Sequence, residues 1–115
     1  MGETVDLERI RTICMGDDEF MQELIGIYLD DAPNQLEKLR EAVTAADPGR
    51  TSSVAHRLKG ASGNVGAERL AELCHKLEIL SRNAGAPDFE ETFGELDAEF
   101  SRVRDRLTIV MNGTE

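Results

Sequence analysis

The 115-residue sequence has few aromatic residues: no tryptophan, one tyrosine and four phenylalanines. Because 40% of the residues are nonetheless hydrophobic, a core is available, but it must be built mainly from Leu, Ile, Val, Ala and Met. This composition favours packed helices over an aromatic-rich β-sandwich. A chain of this length is expected to form one domain, residues 1–115, around a single core.

Cysteine is also scarce. Cys14 and Cys74 each lie in an apolar stretch, not in a C-x-x-C motif or a zinc-type cluster. We expect both to be reduced and buried in the core, since free cysteines are among the most buried residues. The sequence leaves a disulfide between them open as the alternative.

Positive charge is outnumbered, with 13 Lys and Arg against 23 Asp and Glu, a net charge of −10. That balance argues against a nucleic acid or an anionic membrane surface as the partner, because both would repel the chain. No apolar run approaches the roughly 18 residues of a membrane span, and the N-terminus lacks the features of a signal peptide. We therefore expect a protein partner and a cytoplasmic location.

Apolar residues recur at helical spacing, and no stretch alternates as a strand does. The pattern predicts a short helix from about Asp6 to Gly16 and a long helix that begins near Asp17. Pro33 falls inside the long helix and is expected to bend it or to start a new one. The residues expected to face inward from these elements are Leu7, Ile10, Ile13, Cys14, Phe20, Met21, Leu24, Ile25, Ile27, Tyr28, Leu29, Asp31, Leu36, Leu39 and Val43.

Three further helices are predicted: one over Pro48–Asn64, one from after Gly66 to about Arg82, and one from near Asp88 to a frayed tail at 112–115. The short links between them favour antiparallel neighbours. The expected fold is all-α, an antiparallel up-and-down four-helix bundle with a short extra N-terminal helix. The inward residues predicted for these helices are Thr51, Val54, Ala55, Leu58, Val65, Leu70, Leu73, Cys74, Leu77, Leu80, Phe89, Phe93, Leu96, Phe100, Val103, Leu107 and Val110.

His56 lies off the apolar stripe of its helix and is expected to face solvent. The residues within one or two turns on its face are Ser52, Ser53, Lys59, Gly60 and Gly63. Each glycine inside a helix costs roughly 1 kcal/mol relative to alanine, so two of them beside one histidine need a reason. They leave room for a partner's active site and for a phosphoryl group on the ring. Lys59 can supply positive charge, and unprotonated imidazole is a competent nucleophile at neutral pH.

Other interpretations apply to the neighbouring features. A helical histidine is more often a solvated or hydrogen-bonded residue, and His75, opposite the leucine stripe of its helix, is expected to be of that kind. Gly66 is explained by close packing or by the start of a helix. The two histidines lack the close ligand pairs of a zinc site, so no cofactor of the chain's own is expected.

The segment 56–78, which begins HRLKGASGN and ends CHKLE, resembles the signature of histidine-containing phosphotransfer (HPt) domains. Residues 17–20 and 28–33 also resemble the family's earlier helices, so the similarity covers nearly the whole chain. The resemblance implies a four-helix bundle with His56 phosphorylated, in this family on Nε2. It also implies that Lys59 steadies the phosphoryl group and that Gly60 gives clearance. Ser52, Ser53, Arg57 and Gly63 are expected to face the partner.

Two positions depart from the family pattern. Ala61 stands where serine is common, and Glu78 stands where some relatives have glutamine near the histidine. A carboxylate there would repel a phosphoryl group unless Arg82, one turn away, offsets its charge. Glu78 is therefore not expected to contact the phosphoryl group.

The function implied by the resemblance is a phosphorelay carrier. His56 would accept a phosphoryl group from a receiver phosphoaspartate or a hybrid sensor histidine kinase and donate it to the aspartate of a response-regulator receiver. No glycine-rich nucleotide loop or magnesium-binding carboxylate set is present, so magnesium and most of the catalytic machinery are expected on the receiver. A non-phosphorylated adaptor and the phosphoacceptor part of a larger kinase are the alternatives. A monomer is expected.

Overall fold

The computed structural model describes residues 4–83 and 89–113, and within those ranges the chain forms α-helices and no strand. The helices are α1 (Leu7–Ile13), α2 (Asp18–Thr44), α3 (Pro48–Asn64), α4 (Glu68–Arg82) and α5 (Phe89–Met111). The helical fold predicted from the sequence is confirmed. Helix α4 ends at Arg82, as predicted. Residues 84–88 lie outside the described ranges, and they include Asp88, near which the last helix was expected to begin.

The four long helices form a closed ring of neighbours. Helix α3 packs between α2 and α4, while α5 also packs against α2 and α4 and so lies across the bundle from α3. Residues 45–47 join α2 to α3, and residues 65–67 join α3 to α4. Such short links turn the chain back on itself, which gives an antiparallel bundle.

Aspartate begins three of the helices. The side chains of Asp6, Asp17 and Asp47 each accept a hydrogen bond of 3.1 Å from the backbone N–H three residues later. This contact satisfies a backbone donor that has no partner within the helix, and the negative charge favours the positive end of the helix dipole. The starts of α1, α2 and α3 are therefore encoded locally, and the predicted bounds of α3 are confirmed.

Helix α2 runs without interruption through Pro33. The expectation that a new helix starts there is wrong, whereas the expected bend stays a prediction. Proline removes the N–H that would reach the carbonyl of Leu29. Burial of Ala32 on one side and of Leu36 and Leu39 on the other holds both halves of α2 against the core.

The buried face of α2 differs from the predicted one. Met21, Ile25, Tyr28 and Ala32 are buried, whereas Phe20 is 47% and Ile27 66% exposed. Apolar residues cover more of this helix than α3 and α5 can bury, so those on the outer edge remain in solvent. The same correction applies to Asp31, which is exposed, and to Ile13 of α1, which is 39% exposed.

The core is otherwise as predicted. Cys14 and Cys74 are both buried and free, so the reduced state is confirmed over the disulfide. Burial raises the pKa of the Cys74 thiol to about 12. The predicted inward residues of α3, α4 and α5 are buried except Val54, Leu80 and Val110, which are partly buried and pack against the core. The same holds for three residues predicted inward on the first two helices: Leu7, Leu24 and Leu29.

Helix α1 is fixed to the turn that follows α3. The Asp6 N–H donates a 2.8 Å hydrogen bond to the Gly66 carbonyl. Gly66 has φ +74°, and a Cβ there would collide with the Asp6 carbonyl oxygen. Close packing therefore explains this glycine. The start of a helix does not explain it, because α4 begins two residues later.

The C-terminal end is described as far as Gly113. Helix α5 ends at Met111, and the N–H groups of Asn112 and Gly113 still donate to carbonyls of its last turn, at 3.1 Å. The rest of the tail that was predicted to fray, residues 114–115, lies outside the described residues. None of the helices in residues 4–83 and 89–113 has the length and apolar character that a bilayer crossing requires.

Candidate functional site

His56 lies in the middle of α3 with 66% of its side chain exposed. Its position outside the core, expected from periodicity, is confirmed. Ser53, Arg57 and Gly60 are also exposed, while Ser52, Lys59 and Gly63 are partly buried. The predicted neighbours therefore form one accessible surface on α3.

Packing does not account for the two glycines beside His56. A Cβ built on Gly60 or on Gly63 would meet no heavy atom of the described residues within 4 Å beyond its immediate helix surroundings. By contrast, Gly66 is required by its backbone contact with Asp6. The open space at Gly60 and Gly63 leaves the imidazole accessible to a large reaction partner.

The residue that organises the site is Glu78 of α4, whose side chain is only 3% exposed. His56 Nδ1 lies 3.1 Å from its Oε2, Lys59 Nζ donates to Oε1 at 2.9 Å, and Arg82 Nη2 donates to Oε2 at 2.8 Å. A buried carboxylate is stable only when it is paired and hydrogen-bonded. Glu78 has three such partners, and through them it connects α3 to α4.

The surroundings of Glu78 favour its ionised form. Burial alone would raise the pKa of this carboxyl group, but the hydrogen bond and charge of Lys59, followed by those of His56, lower the pKa below its ordinary value. Glu78 is therefore a carboxylate at neutral pH and can only accept hydrogen bonds.

An ionised Glu78 fixes the proton of the neutral His56 ring. Since Oε2 can only accept, Nδ1 must donate, and Nε2 then keeps its lone pair. Nε2 makes no hydrogen bond to any of the described residues. The ring therefore presents an unprotonated nitrogen toward solvent, as a nucleophile requires.

Lys59 is held beside the histidine but is already paired. Its side chain is 29% exposed and forms the 2.9 Å contact with Glu78. An ammonium group has three N–H donors, so Lys59 can keep this contact and still donate to an incoming anion. Its role toward a phosphoryl group stays a prediction. Arg82, which the sequence offered as the residue that could offset the charge of Glu78, forms an ion pair with it at 2.8 Å.

Sequence reasoning missed two members of this cluster. From the sequence alone, Glu78 is expected only to repel a phosphoryl group, and His75 is expected only to be solvated. His75 is indeed 53% exposed, but its Nδ1 lies 3.5 Å from Lys59 Nζ and 4.0 Å from Glu78 Oε1. The spacing of three residues between His75 and Glu78 could have placed both on the face of α4 that meets Lys59.

A groove runs between α2 and α3 beside the His56 surface. Its lining is mainly apolar, and its two polar residues are Asp31 and Asn64. The apolar residues of the lining are Leu24, Ile27, Tyr28, Ala32, Ala61 and Val65. Ala61, which departs from the family pattern, thus lies in the wall of the groove. Below the groove, Tyr28 Oη and Ser62 Oγ share a buried hydrogen bond of 2.9 Å.

The described residues contain no group of three or more His, Cys, Asp or Glu side chains placed to hold a metal ion.

The other buried carboxylate that sequence reasoning missed is Glu99 of α5. Arg102 Nη2 lies 2.8 Å from its Oε1, and Arg69 Nε lies 4.0 Å away. This group connects α4 to α5 and has no member on α3.

Known proteins resemble this chain in both fold and sequence. The structure of histidine-containing phosphotransfer protein B from Pseudomonas aeruginosa superimposes with a TM-score of 0.90, covering 97% of each chain at 23% identity. The HPT domain from the Hpt sensor hybrid histidine kinase of Shewanella gives a TM-score of 0.85, covering 96% of this chain and 95% of that one at 24% identity. These two likenesses show the fold.

The sequence comparisons extend the likeness to the family. Histidine-containing phosphotransfer protein 4 of Arabidopsis thaliana is 27% identical over 90 residues, which cover 76% of this chain and 71% of that protein. The profile of the Hpt domain matches residues 23–106, a segment that contains His56, Lys59 and Glu78. The match spans well over half of the sequence, and the chain belongs to the Hpt domain family.

Proposed function

We propose that the chain is a phosphorelay carrier in which His56 is the residue that holds the phosphoryl group. The observation that carries this proposal is the state of the imidazole: Nδ1 is engaged by a buried carboxylate at 3.1 Å, and the ring is two-thirds exposed. Family membership supports the carrier function over the alternative of a non-phosphorylated adaptor.

The transfer step follows from this geometry. The Nε2 lone pair attacks the phosphorus of a receiver's aspartyl phosphate, a P–N bond forms, and the P–O bond to the aspartate breaks, so that the aspartate leaves as a carboxylate. The Nδ1 proton stays in place, and the positive charge that develops on the ring is stabilised by Glu78. In the onward step, the aspartate of the next receiver attacks the phosphorus and the P–N bond breaks.

Lys59 and Gly60 would assist this step in different ways. Lys59 Nζ retains its contact with Glu78 and donates a further N–H to the phosphoryl oxygens. Gly60 leaves the approach to the ring open, because no described atom would contact even a Cβ at that position. Glu78 takes no part in holding the phosphoryl group, since Lys59, Arg82 and the ring occupy its oxygens.

The partners would be receiver domains of response regulators or of a hybrid sensor histidine kinase. They would dock over Ser52, Ser53, Arg57 and Gly63 and over exposed apolar residues of the adjoining helix. Magnesium would belong to the receiver, and the chain would act in the cytoplasm as a monomer without kinase activity of its own. The same His56 chemistry would serve if the chain were the phosphoacceptor part of a larger kinase.

The test is transfer of label from a ³²P-phosphorylated receiver domain to the purified chain. The label should be acid-labile and base-stable, and it should disappear in His56→Gln. His75→Gln is the matched control, because it removes the neighbouring imidazole and should still be labelled. Persistent labelling of His56→Gln, or no labelling by any receiver of the same cell, would refute the carrier function.

A further inference from the structure

Charge is distributed unevenly around the surface that carries His56. Residues 48–83, which form α3 and α4, contain six basic and three acidic residues, a net charge of +3. Residues 18–44, which form α2, contain two basic and seven acidic residues, a net charge of −5. A partner that meets α3 therefore has a positive surface on one side of His56 and a negative surface on the other.

The negative side also carries apolar residues that are exposed or, in the case of Leu24, partly buried. Phe20, Leu24 and Ile27 follow one another at helical spacing on α2, and Leu24 and Ile27 line the groove against α3. Ile27 is 66% and Phe20 47% exposed. Single exposed apolar residues are ordinary, but a row of them beside a groove indicates an interaction surface.

Carboxylates border this apolar row. Asp31 lines the groove itself, and Glu23 and Asp30 lie within one turn of Ile27 on the solvent side. Within the part of the chain that the structure describes, none of these three side chains forms a hydrogen bond or an ion pair with another residue. Their charges are therefore available to a partner.

We propose that this flank of α2 is the specificity element of the docking surface, and that it selects a receiver with an apolar side chain beside a lysine or arginine. The apolar side chain would enter the groove between Ile27 and Ala61, and the basic residue would pair with Asp31. The proposal rests on the proposed carrier function, and it adds which receivers fit and in which orientation.

Complementary charge also fixes the orientation of the partner. The acceptor aspartate of a receiver is an anion and is attracted to the side of Lys59 and Arg82, while the basic residue is attracted to the side of Asp31. A receiver rotated by half a turn would bring its basic residue against the positive surface of α3 and α4, and the repulsion between these like charges is costly. A second copy of this chain fits the groove poorly, because two α2 surfaces of net charge −5 would repel each other.

The experiment uses the receiver that exchanges phosphate with the chain in the labelling assay. Asp31→Lys should raise the KM for transfer at least tenfold at low salt without changing the turnover rate at saturation, and the effect should shrink as salt is added. Ile27→Ser should raise the KM by a similar factor at every salt concentration. Replacing the basic residue of the receiver by glutamate should restore transfer to Asp31→Lys.

Glu95→Lys is the matched control for charge. Glu95 is exposed on α5, across the bundle from α3, and the substitution makes the same change in net charge. It should leave the KM unchanged. Equal effects of Asp31→Lys and Glu95→Lys, or none from either, would overturn the proposal. The proposal would also be overturned if the wild-type chain formed a dimer and Ile27→Ser dissociated it, because a second copy of the chain would then cover the groove. If His56 takes up no label at all, the carrier function fails instead.

Discussion

Glu78 Oε2 lies 3.1 Å from His56 Nδ1, so that a buried carboxylate of α4 holds the exposed imidazole of α3 from behind. The two residues are 22 positions apart. Because the contact exists before any partner arrives, the orientation and the proton position of the ring are already those that the proposed attack through Nε2 requires. The partner then has to bring only the phosphorus atom into line.

The first prediction concerns the proton on the ring. In the wild-type protein at a pH where His56 is neutral, ¹⁵N NMR should show the tautomer with the proton on Nδ1. Glu78→Leu should shift the ring toward the tautomer protonated on Nε2 and slow phosphorylation by roughly 10- to 100-fold, because the nucleophilic nitrogen is misplaced or protonated. Glu78→Gln should retain much of the wild-type tautomer, since its amide oxygen can also accept.

Glu72→Leu serves as the control for this prediction, because Glu72 is an exposed carboxylate on the same helix. It should change neither the tautomer nor the rate. A wild-type tautomer in Glu78→Leu would show that Glu78 does not control the ring.

The second prediction concerns stability and pH. The pKa of Glu78 is lower in the folded state than its ordinary value of 4.5, so its ionisation stabilises the fold above that pH. This contribution to the free energy of unfolding is lost as the pH falls through the lowered pKa. In urea unfolding, the free energy of unfolding of the wild type should therefore exceed that of Glu78→Gln, and this difference should be largest near pH 7. The difference should narrow below pH 4.5. A difference that stays constant down to pH 3 would contradict this.

Much of the fold could be predicted from local sequence. Asp47 followed by Pro48 marked the start of α3, and the stripe through Ala55 and Leu58 placed His56 outside the core. These signals are local, because a helix start and a helix face depend on residues within a few positions.

Other features depend on how the helices meet. On α2 the apolar residues cover too wide a sector for sequence to decide which side is buried, and Phe20 and Ile27 proved to be outside. The contact of Glu78 with His56 depends on the register between α3 and α4. Considered alone, Glu78 suggested only repulsion of a phosphoryl group, whereas packing makes it the partner of the ring.

The third prediction concerns Gly60, and it separates the cost of this glycine to helix stability from its benefit to phosphoryl transfer. A Cβ at Gly60 would meet no described neighbour, so Gly60→Ala should stabilise the protein by about 0.5–1 kcal/mol and raise the Tm. Gly60→Leu should preserve the helical circular dichroism but slow transfer from the receiver. Gly94 on α5 is the matched control, because a Cβ there is equally free of contacts. Gly94→Leu should leave transfer unchanged, and unimpaired transfer by Gly60→Leu would remove the reason given for Gly60.

The fourth prediction concerns the buried pair of Tyr28 and Ser62, whose oxygens lie 2.9 Å apart. Tyr28→Phe or Ser62→Ala should each cost about 1–2 kcal/mol, because the remaining hydroxyl is left buried without its partner. The double variant should cost clearly less than the two single costs together. Chemical denaturation of all four proteins measures the coupling, and strictly additive costs would mean that the hydrogen bond contributes nothing.

The contact between Asp6 and Gly66 joins the N-terminal segment to the bundle that carries His56. The segment matched by the family profile, residues 23–106, begins after α1. Yet Val5, Ile10 and Cys14 belong to the same core as the helices of the bundle. A chain cut at residue 23 would leave the Gly66 carbonyl without its donor and would open one end of the core to water. The phosphoacceptor unit of this protein therefore includes an end cap that the family signature leaves out.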